Sequence, residues 1–390
     1  MAQNHASRQS ANGRPPFRAD QVGSLLRPAN LKAAREKFLG PQTPDQHLGP
    51  HGNAELRAVE DRCICEVVAA QESIGLHAVT DGEFRRRSWW LELLLTWDGI
   101  AAHRTGTTAF TWHTPDGKEQ AFSRLWVNGP IRWRPSSIVR AFQFLKANTR
   151  AVPKVTIPAP ILLHMYGGGD QGISEGHYKD VEAFWHDLTA AYRQELAALV
   201  AAGARYIQLD DTSIAFLCDP KYRDTVKGWG NDPDALLVDY AERINAILEG
   251  LPADVTVTLH QCRGNREGNW SAQGGYDPVA DVLFNRVNVH GYFLEYDTAR
   301  AGGFAPLRLL PKGKIAVLGL VSTKTAKLES ADDLKRRIDE AARVAPIEQL
   351  ALSPQCGFAS SIKGNPLTEA DQRAKLRRVV EVAEAVWDGA

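Results

Sequence analysis

The stretch DVEAFWHDLTAAYRQELAALVAAGARYIQLDD, residues 180–211, decides the fold. Over residues 180–203 apolar side chains recur at a 3.6-residue period, which marks a helix with one buried face. The glycine of AAGAR stops that helix, because glycine accepts the left-handed turn that ends one. ARYIQLDD, residues 204–211, then reads as a strand that runs out into two acids. Helix, glycine, strand and polar strand end make one unit.

That unit recurs outward in both directions. Strands are expected at RADQVGS (18–24), HAVTDGEF (77–84), KVTIPAP (154–160), DVTVTLHQC (254–262), RVNVHGYFLEYD (286–297), GKIAVLGLVS (313–322) and QLALSPQCGF (349–358). Helices are expected around 53–75, 233–250, 330–345 and 369–387. Strands that alternate with helices build a parallel sheet, and eight of them suggest a closed barrel. The fold class is therefore α/β, a (β/α)8 TIM barrel. Residues 98–135 break the rhythm: an internal PDGK turn between aromatic-rich runs reads as a β-hairpin, part of an insertion after strand two that extends over 98–150. We expect a flexible tail over residues 1–17 and a single barrel over 18–390.

The chain has 390 residues, with 46 Lys+Arg balanced by 46 Asp+Glu. No basic surplus points to nucleic acid or an anionic membrane. No apolar run approaches the roughly 20 residues that span a bilayer. The polar N-terminus has no apolar signal core, so a cytoplasmic location is expected. The 5 cysteines are odd in number and widely spaced, which argues against a disulfide scaffold. A homo-oligomer stays open.

Chemistry on such a barrel gathers at the C-terminal strand ends. Those ends carry Ser24, Asp81 and Glu83, Asp210 and Asp211, His260 and Cys262, Glu295, Ser322 and Lys324, and Cys356. Residues 260 and 262 of an extended chain share a face. With Cys356 from strand eight they can converge on one cation, and zinc takes imidazole nitrogen and thiolate sulfur tetrahedrally. Glu295 can serve as fourth ligand. Alone, a histidine or cysteine near a strand end is more often packing; their joint placement tips the balance to metal. Cys63 and Cys65 fall mid-helix and read as structural, and Cys218 as core. Asp81 or Asp211 can simply cap the next helix, whereas Glu83 and Asp210 suit a substrate ammonium. The run RRRSWW (85–90) can bind an acidic substrate tail but more often such a charge run is a solvated face, and MYGGGDQG (165–172) reads as a flexible loop at the site.

The segments VGSLLRP, VTDGEFRR, YIQLDD, HQC, YFLEYD, LGLVSTKTAKLES and LSPQCGF together resemble the cobalamin-independent methionine synthase family, in its short form built from the C-terminal catalytic barrel. The resemblance runs over roughly residues 18–388. It implies a Zn2+ ligand set of His260, Cys262, Glu295 and Cys356, and substrate binding by Ser24, Glu83, Asp210 and Asp211. The family reaction moves a methyl group from a methylated folate to homocysteine, giving methionine. The partners implied are a small-molecule thiol and a methyl donor. Three positions depart from the family pattern. Lys324 stands where a proton-relaying histidine follows strand seven, so Lys324 and Asp210 are the candidate catalytic groups. QLDDT replaces QxDEP, putting Asp211 in place of a glutamate. No tryptophan stands where the family stacks its folate; IPAPILLHMYGGG occupies that segment, and the aromatic insertion can shape a different pocket. Other zinc-dependent thiol alkyltransferases of this barrel, such as those that open epoxides with coenzyme M, stay open. So do a metal-free barrel resembling uroporphyrinogen decarboxylase and a non-catalytic barrel with a structural zinc.

Overall fold

The computed structural model describes residues 14–41, 51–114 and 119–387. Its strands are β1 (Ala78–Val79), β2 (Asp98–His113), β3 (Glu119–Arg132), β4 (Val152–Pro158), β5 (Tyr206–Asp211), β6 (Thr256–Gln261), β7 (Gly291–Glu295), β8 (Ile315–Val321) and β9 (Leu350–Pro354). Seven of them form one sheet in the order β1-β4-β5-β6-β7-β8-β9, every pair parallel. Every residue of β5 and β6 is buried, as expected of strands covered on both faces.

Helices lie where the periodicity puts them. The helix Val181–Ala201 opens on Asp180, whose side chain accepts from Glu182 N–H at 3.0 Å. It buries Phe184, Leu188, Ala191, Leu196 and Leu199 along one stripe, and the chain turns at Gly203 with φ +97°. Ala54–Ile74, Pro233–Leu248, Ala331–Ala342 and Glu369–Trp387 also match the expected helices. Among the described residues no helix is long and apolar enough to cross a membrane.

The eighth strand position is filled irregularly. Residues 18–24 were expected as a strand, but only Ala19 makes a bridge, parallel to Leu352 of β9. Asp20 N–H donates to Leu352 O at 3.1 Å, and Leu25 N–H donates to Gly82 O at 3.0 Å beyond β1, so the segment spans the gap between the sheet's two edges. Its carbonyls are drawn to side-chain donors inside the barrel instead of a ladder. Lys154 Nζ donates to Gln21 O (2.5 Å), Gln208 Nε2 to Val22 O (2.6 Å) and Thr80 Oγ1 to Gly23 O (2.6 Å). Backbone acceptors satisfied this way have no need of a neighbouring strand. Phe17, just before it, is buried against Ala78 and Tyr206; residues 1–13 of the expected tail lie outside the described residues.

Lys154 and Tyr206 sit side by side at the start of β4 and β5. There the buried Lys154 ammonium meets Asp20 at 3.2 Å and lies 3.9 Å from the Phe293 ring centre, and Tyr206 donates to Asp20 at 2.8 Å. This charged plug fills the N-terminal part of the barrel and leaves the other end for chemistry.

The break in the rhythm is an antiparallel hairpin, β2 against β3. It folds over the strand ends: His113 N–H donates to Trp270 O at 2.8 Å, and Ser271 Oγ donates to Thr111 O at 2.8 Å. MYGGGDQG is not a loop. It forms the helices Ile161–Gly167 and Gly169–Glu175, broken where Gly168 and Gly169 both turn left-handed (φ +97° and +67°), a conformation glycine adopts without steric cost.

Candidate metal centre and its pocket

β5 and β6 bring the first groups together by register. Asp210 lies directly opposite His260, and His260 Nδ1 meets Asp210 Oδ1 at 3.2 Å. Cys262 follows one residue beyond β6 on the same face as His260. Cys356 stands two residues past β9, and the two sulfurs are 3.7 Å apart. One ligand atom from each of His260, Cys262 and Cys356 lies within 4.8 Å of the others, all three residues buried. This is the group of possible metal ligands found among the described residues. His260 Nε2 is buried with no hydrogen-bond partner. Hydrogen bonding to Cys356 and burial push the Cys262 thiol well above its ordinary range. Burial pulls the His260 ring down, but Cys262 and Asp210 outweigh it and raise it to about 10.

Glu295 falls outside this group. It ends β7, and Lys324 Nζ meets its Oε1 at 3.1 Å. Arg300 donates to the same oxygen at 2.5 Å and Arg263 N–H to the other at 2.6 Å. Burial resists the charge, yet Lys324, Arg300 and Arg263 hold the Glu295 carboxyl far below the usual carboxylate range. Lys324 is buried beside Asp297 as well, 3.9 Å away.

The triad opens into a cavity of about 800 Å³, open to solvent, that Ser24, Glu83, Asp210 and Asp211 also line. Glu83 sits in a left-handed conformation (φ +60°) right after Gly82 (φ +64°), a strained turn of the kind found at binding sites. Its Oε1 accepts from Thr156 at 2.7 Å and lies 3.5 Å from Arg86, while its Oε2 is buried with no partner. Burial raises the Glu83 carboxyl above its ordinary range, with Arg86 opposing. Asp211 faces the next helix as much as the cavity, accepting from Ser213 N–H (2.9 Å), Ile214 N–H (3.0 Å) and Gln261 Nε2 (2.8 Å). Gly357, next to Cys356, packs so tightly on Ser24 that any side chain there would run into the Ser24 hydroxyl. Cys63, Cys65 and Cys218 lie elsewhere.

Several lining residues escaped the sequence reading. RRRSWW is not a solvated face: Arg86 and Arg87 are buried, and Trp89 and Trp90 line the cavity. Trp112 of the hairpin and Tyr166 of MYGGGDQG join them, as do Asn265 and Arg266 from the loop after HQC. A charged triplet next to two tryptophans was the available signal, since arginines flanking aromatics can be drawn inside by backbone acceptors.

A family model described as the cobalamin-independent synthase catalytic domain matches residues 44–385. The chain belongs to this family. The uncharacterized protein YxjG of Bacillus subtilis is 42% identical over 378 residues, covering 96% of either chain. A Listeria monocytogenes structure, provisionally called a vitamin-B12 independent methionine synthase, aligns with a TM-score of 0.72 at 35% identity, covering 95% of this chain and 98% of that one. The methionine synthase of Pyrococcus abyssi is 25% identical over 304 residues, 75% of this chain and 76% of the relative. Membership places the chain among the methyltransferases of the cobalamin-independent synthase family, on an α/β barrel.

Proposed function

We propose that the chain is a zinc-dependent methyltransferase that carries a methyl group from 5-methyltetrahydrofolate, or a simpler donor, to the sulfur of homocysteine, giving methionine. The observation that carries this reading is the buried imidazole and two thiols on the floor of a cavity that also holds Glu83 and Asp210. One nitrogen and two sulfurs are the donors zinc prefers, and tetrahedral Zn–S bonds of about 2.3 Å put two sulfurs roughly 3.8 Å apart; here they stand 3.7 Å apart. His260 Nε2, buried and without a hydrogen-bond partner, is the ring atom a metal would engage once the ring's proton is displaced. Zinc bound there would lower the pKa of a substrate thiol and hold it as thiolate.

The chain's own residues do the positioning. Glu83 Oε2, with no partner inside the protein, takes the ammonium of the amino acid thiol together with Asp210, and Ser24 borders the same space. Asp210 also fixes the His260 ring through Nδ1, which directs Nε2 toward the ligand group. Asp211 holds the strand end in place. Glu295 would be the fourth ligand if it gave up its bonds to Lys324 and Arg300, which makes Lys324 a positioning residue for that carboxylate. A sulfonate thiol such as coenzyme M would want several cations; the described lining carries three carboxylates and one guanidinium, Arg266, which favours an amino acid substrate.

The test is elemental analysis and a transfer assay on the purified chain. About one zinc per chain is expected, with methionine formed from homocysteine, and both lost in His260→Ala and Cys356→Ala. Full transfer in either variant, or a chain that takes up no zinc under reducing conditions, sinks the reading.

A further inference from the structure

We propose that the methyl donor is a small onium compound, a sulfonium or quaternary ammonium, received by the aromatic wall of Trp89, Trp90, Trp112 and Tyr166. This inference rests on the thiol methyl transfer argued above and names its donor. All four rings line the cavity that holds Cys262 and Cys356. Two of the ring pairs are set at an angle. Trp89 and Trp90 are tilted 45° with centres 6.3 Å apart, and Trp90 meets Tyr166 edge-on at 86° and 5.2 Å. Faces set at such angles suit a rounded cationic group better than a planar ring system, which wants parallel faces. The wall is braced: Tyr166 is tied to Thr212 by a 2.9 Å hydrogen bond, and the Trp112 ring lies where a Cβ on Gly264 would be, 2.7 Å from its Cζ3.

Charge agrees with shape. Among the described lining residues, the carboxylates Glu83, Asp210 and Asp211 outnumber the cationic groups, the Arg266 guanidinium and the His260 ring. That balance attracts a cation and offers little to a polyanionic tail. The chemistry agrees as well. Transfer from a tertiary amine needs a proton for the departing nitrogen. Lys324, at the position where a proton donor was expected, is 3.1 Å from Glu295 and is not part of the cavity lining. An onium donor needs no proton. The homocysteine thiolate sulfur attacks the methyl carbon, a sulfur–carbon bond forms, the bond from carbon to the onium sulfur breaks, and its electron pair leaves with a neutral sulfide. The positive charge disappears with the thiolate's negative charge, and nothing is oxidised or reduced.

The experiment uses the zinc-loaded full chain with homocysteine and either trimethylsulfonium or monoglutamyl 5-methyltetrahydrofolate. Trimethylsulfonium should give methionine and dimethyl sulfide in equal amounts. Tetramethylammonium should compete, and its neutral isostere tert-butanol should compete at least ten-fold less well. Trp112→Leu and Trp90→Leu should each raise the KM for the sulfonium about ten-fold or more, while the Kd for homocysteine moves less than two-fold. Homocysteine binding is read separately, from the visible spectrum of cobalt-substituted enzyme. If homocysteine perturbs that spectrum but trimethylsulfonium yields no methionine, the onium donor is overturned whether or not the folate reacts. If homocysteine leaves the spectrum unchanged, the thiol reading itself fails, and the donor inference with it.

Discussion

At the scale of single residues, Glu83 and Asp210 show how position decides the role of a carboxylate. Asp210 faces His260 across two paired strands and is bonded to its Nδ1 at 3.2 Å. A carboxylate behind a metal-binding imidazole orients the ring and raises its basicity, and losing one costs about 10–100-fold in metal affinity. Asp210→Asn should therefore weaken zinc binding by that order in a chelator competition; unchanged affinity would mean that the aspartate serves the substrate alone. Glu83 has one oxygen occupied and one unpartnered. Glu83→Gln should raise the KM for homocysteine about 10–100-fold, the range of a lost hydrogen bond between charged groups. Burial raises the Glu83 carboxyl, so it takes up its proton at a higher pH than an exposed glutamate. Only the ionised form pairs with an ammonium. Thiol ionisation at the metal gives both proteins a common pH dependence; Glu83 should add a further weakening of homocysteine affinity as pH falls through its raised range, and the glutamine variant should lack that added part. Matching pH profiles for the two proteins would remove Glu83 from the ammonium site.

At the scale of elements, the hairpin β2–β3 supplies part of this barrel's pocket. It leans on the loop after Cys262 through the bonds from His113 N–H to Trp270 O and from Ser271 to Thr111 O, and so delivers Trp112 to the cavity. The contact depends on Gly264, whose backbone is left-handed (φ +88°) and whose missing side chain leaves room for the indole. Gly264→Ala faces both a strained backbone and a 2.7 Å clash with Trp112. It should destabilise the protein by about 1–3 kcal/mol and disturb donor KM more than homocysteine Kd. Thermal melts with paired binding assays check this; a melting temperature equal to the parent's would show that hairpin and loop adjust freely.

At the scale of the whole molecule, the barrel has a stability end and a chemistry end. Lys154, Asp20 and Tyr206 fill the first, buried and mutually bonded. Taking one partner from a buried ion pair strands the other charge and costs about 3–5 kcal/mol. Lys154→Met should lower the denaturant midpoint accordingly while zinc content per folded chain stays the same, and adding Asp20→Asn should recover part of the loss. A double variant no more stable than the single one would argue that Asp20 is satisfied by Phe17 N–H and Tyr206 alone.

The sequence by itself determined the parallel α/β barrel, the hairpin after its second strand, and the strand-end placement of His260, Cys262 and Cys356. Periods of 3.6 and 2 are local properties, and a strand end announces its own residues. Three things were decided only by tertiary structure. Residues 18–24 close the barrel without becoming a regular strand, because donors far along the chain, Lys154 and Gln208, take their carbonyls. Glu295 stands among cations outside the triad, because Lys324 and Arg300 reach it from the following loops. RRRSWW turns inward: Arg27 ties its guanidinium to the carbonyls of Glu83 and Arg86, and Trp89 N–H donates to Ser360 O, so the two tryptophans line the cavity that Trp112 and Tyr166 also line. Charge run and aromatic pair look the same in sequence whether they face water or a substrate; which one they face depends on partners supplied by distant parts of the chain.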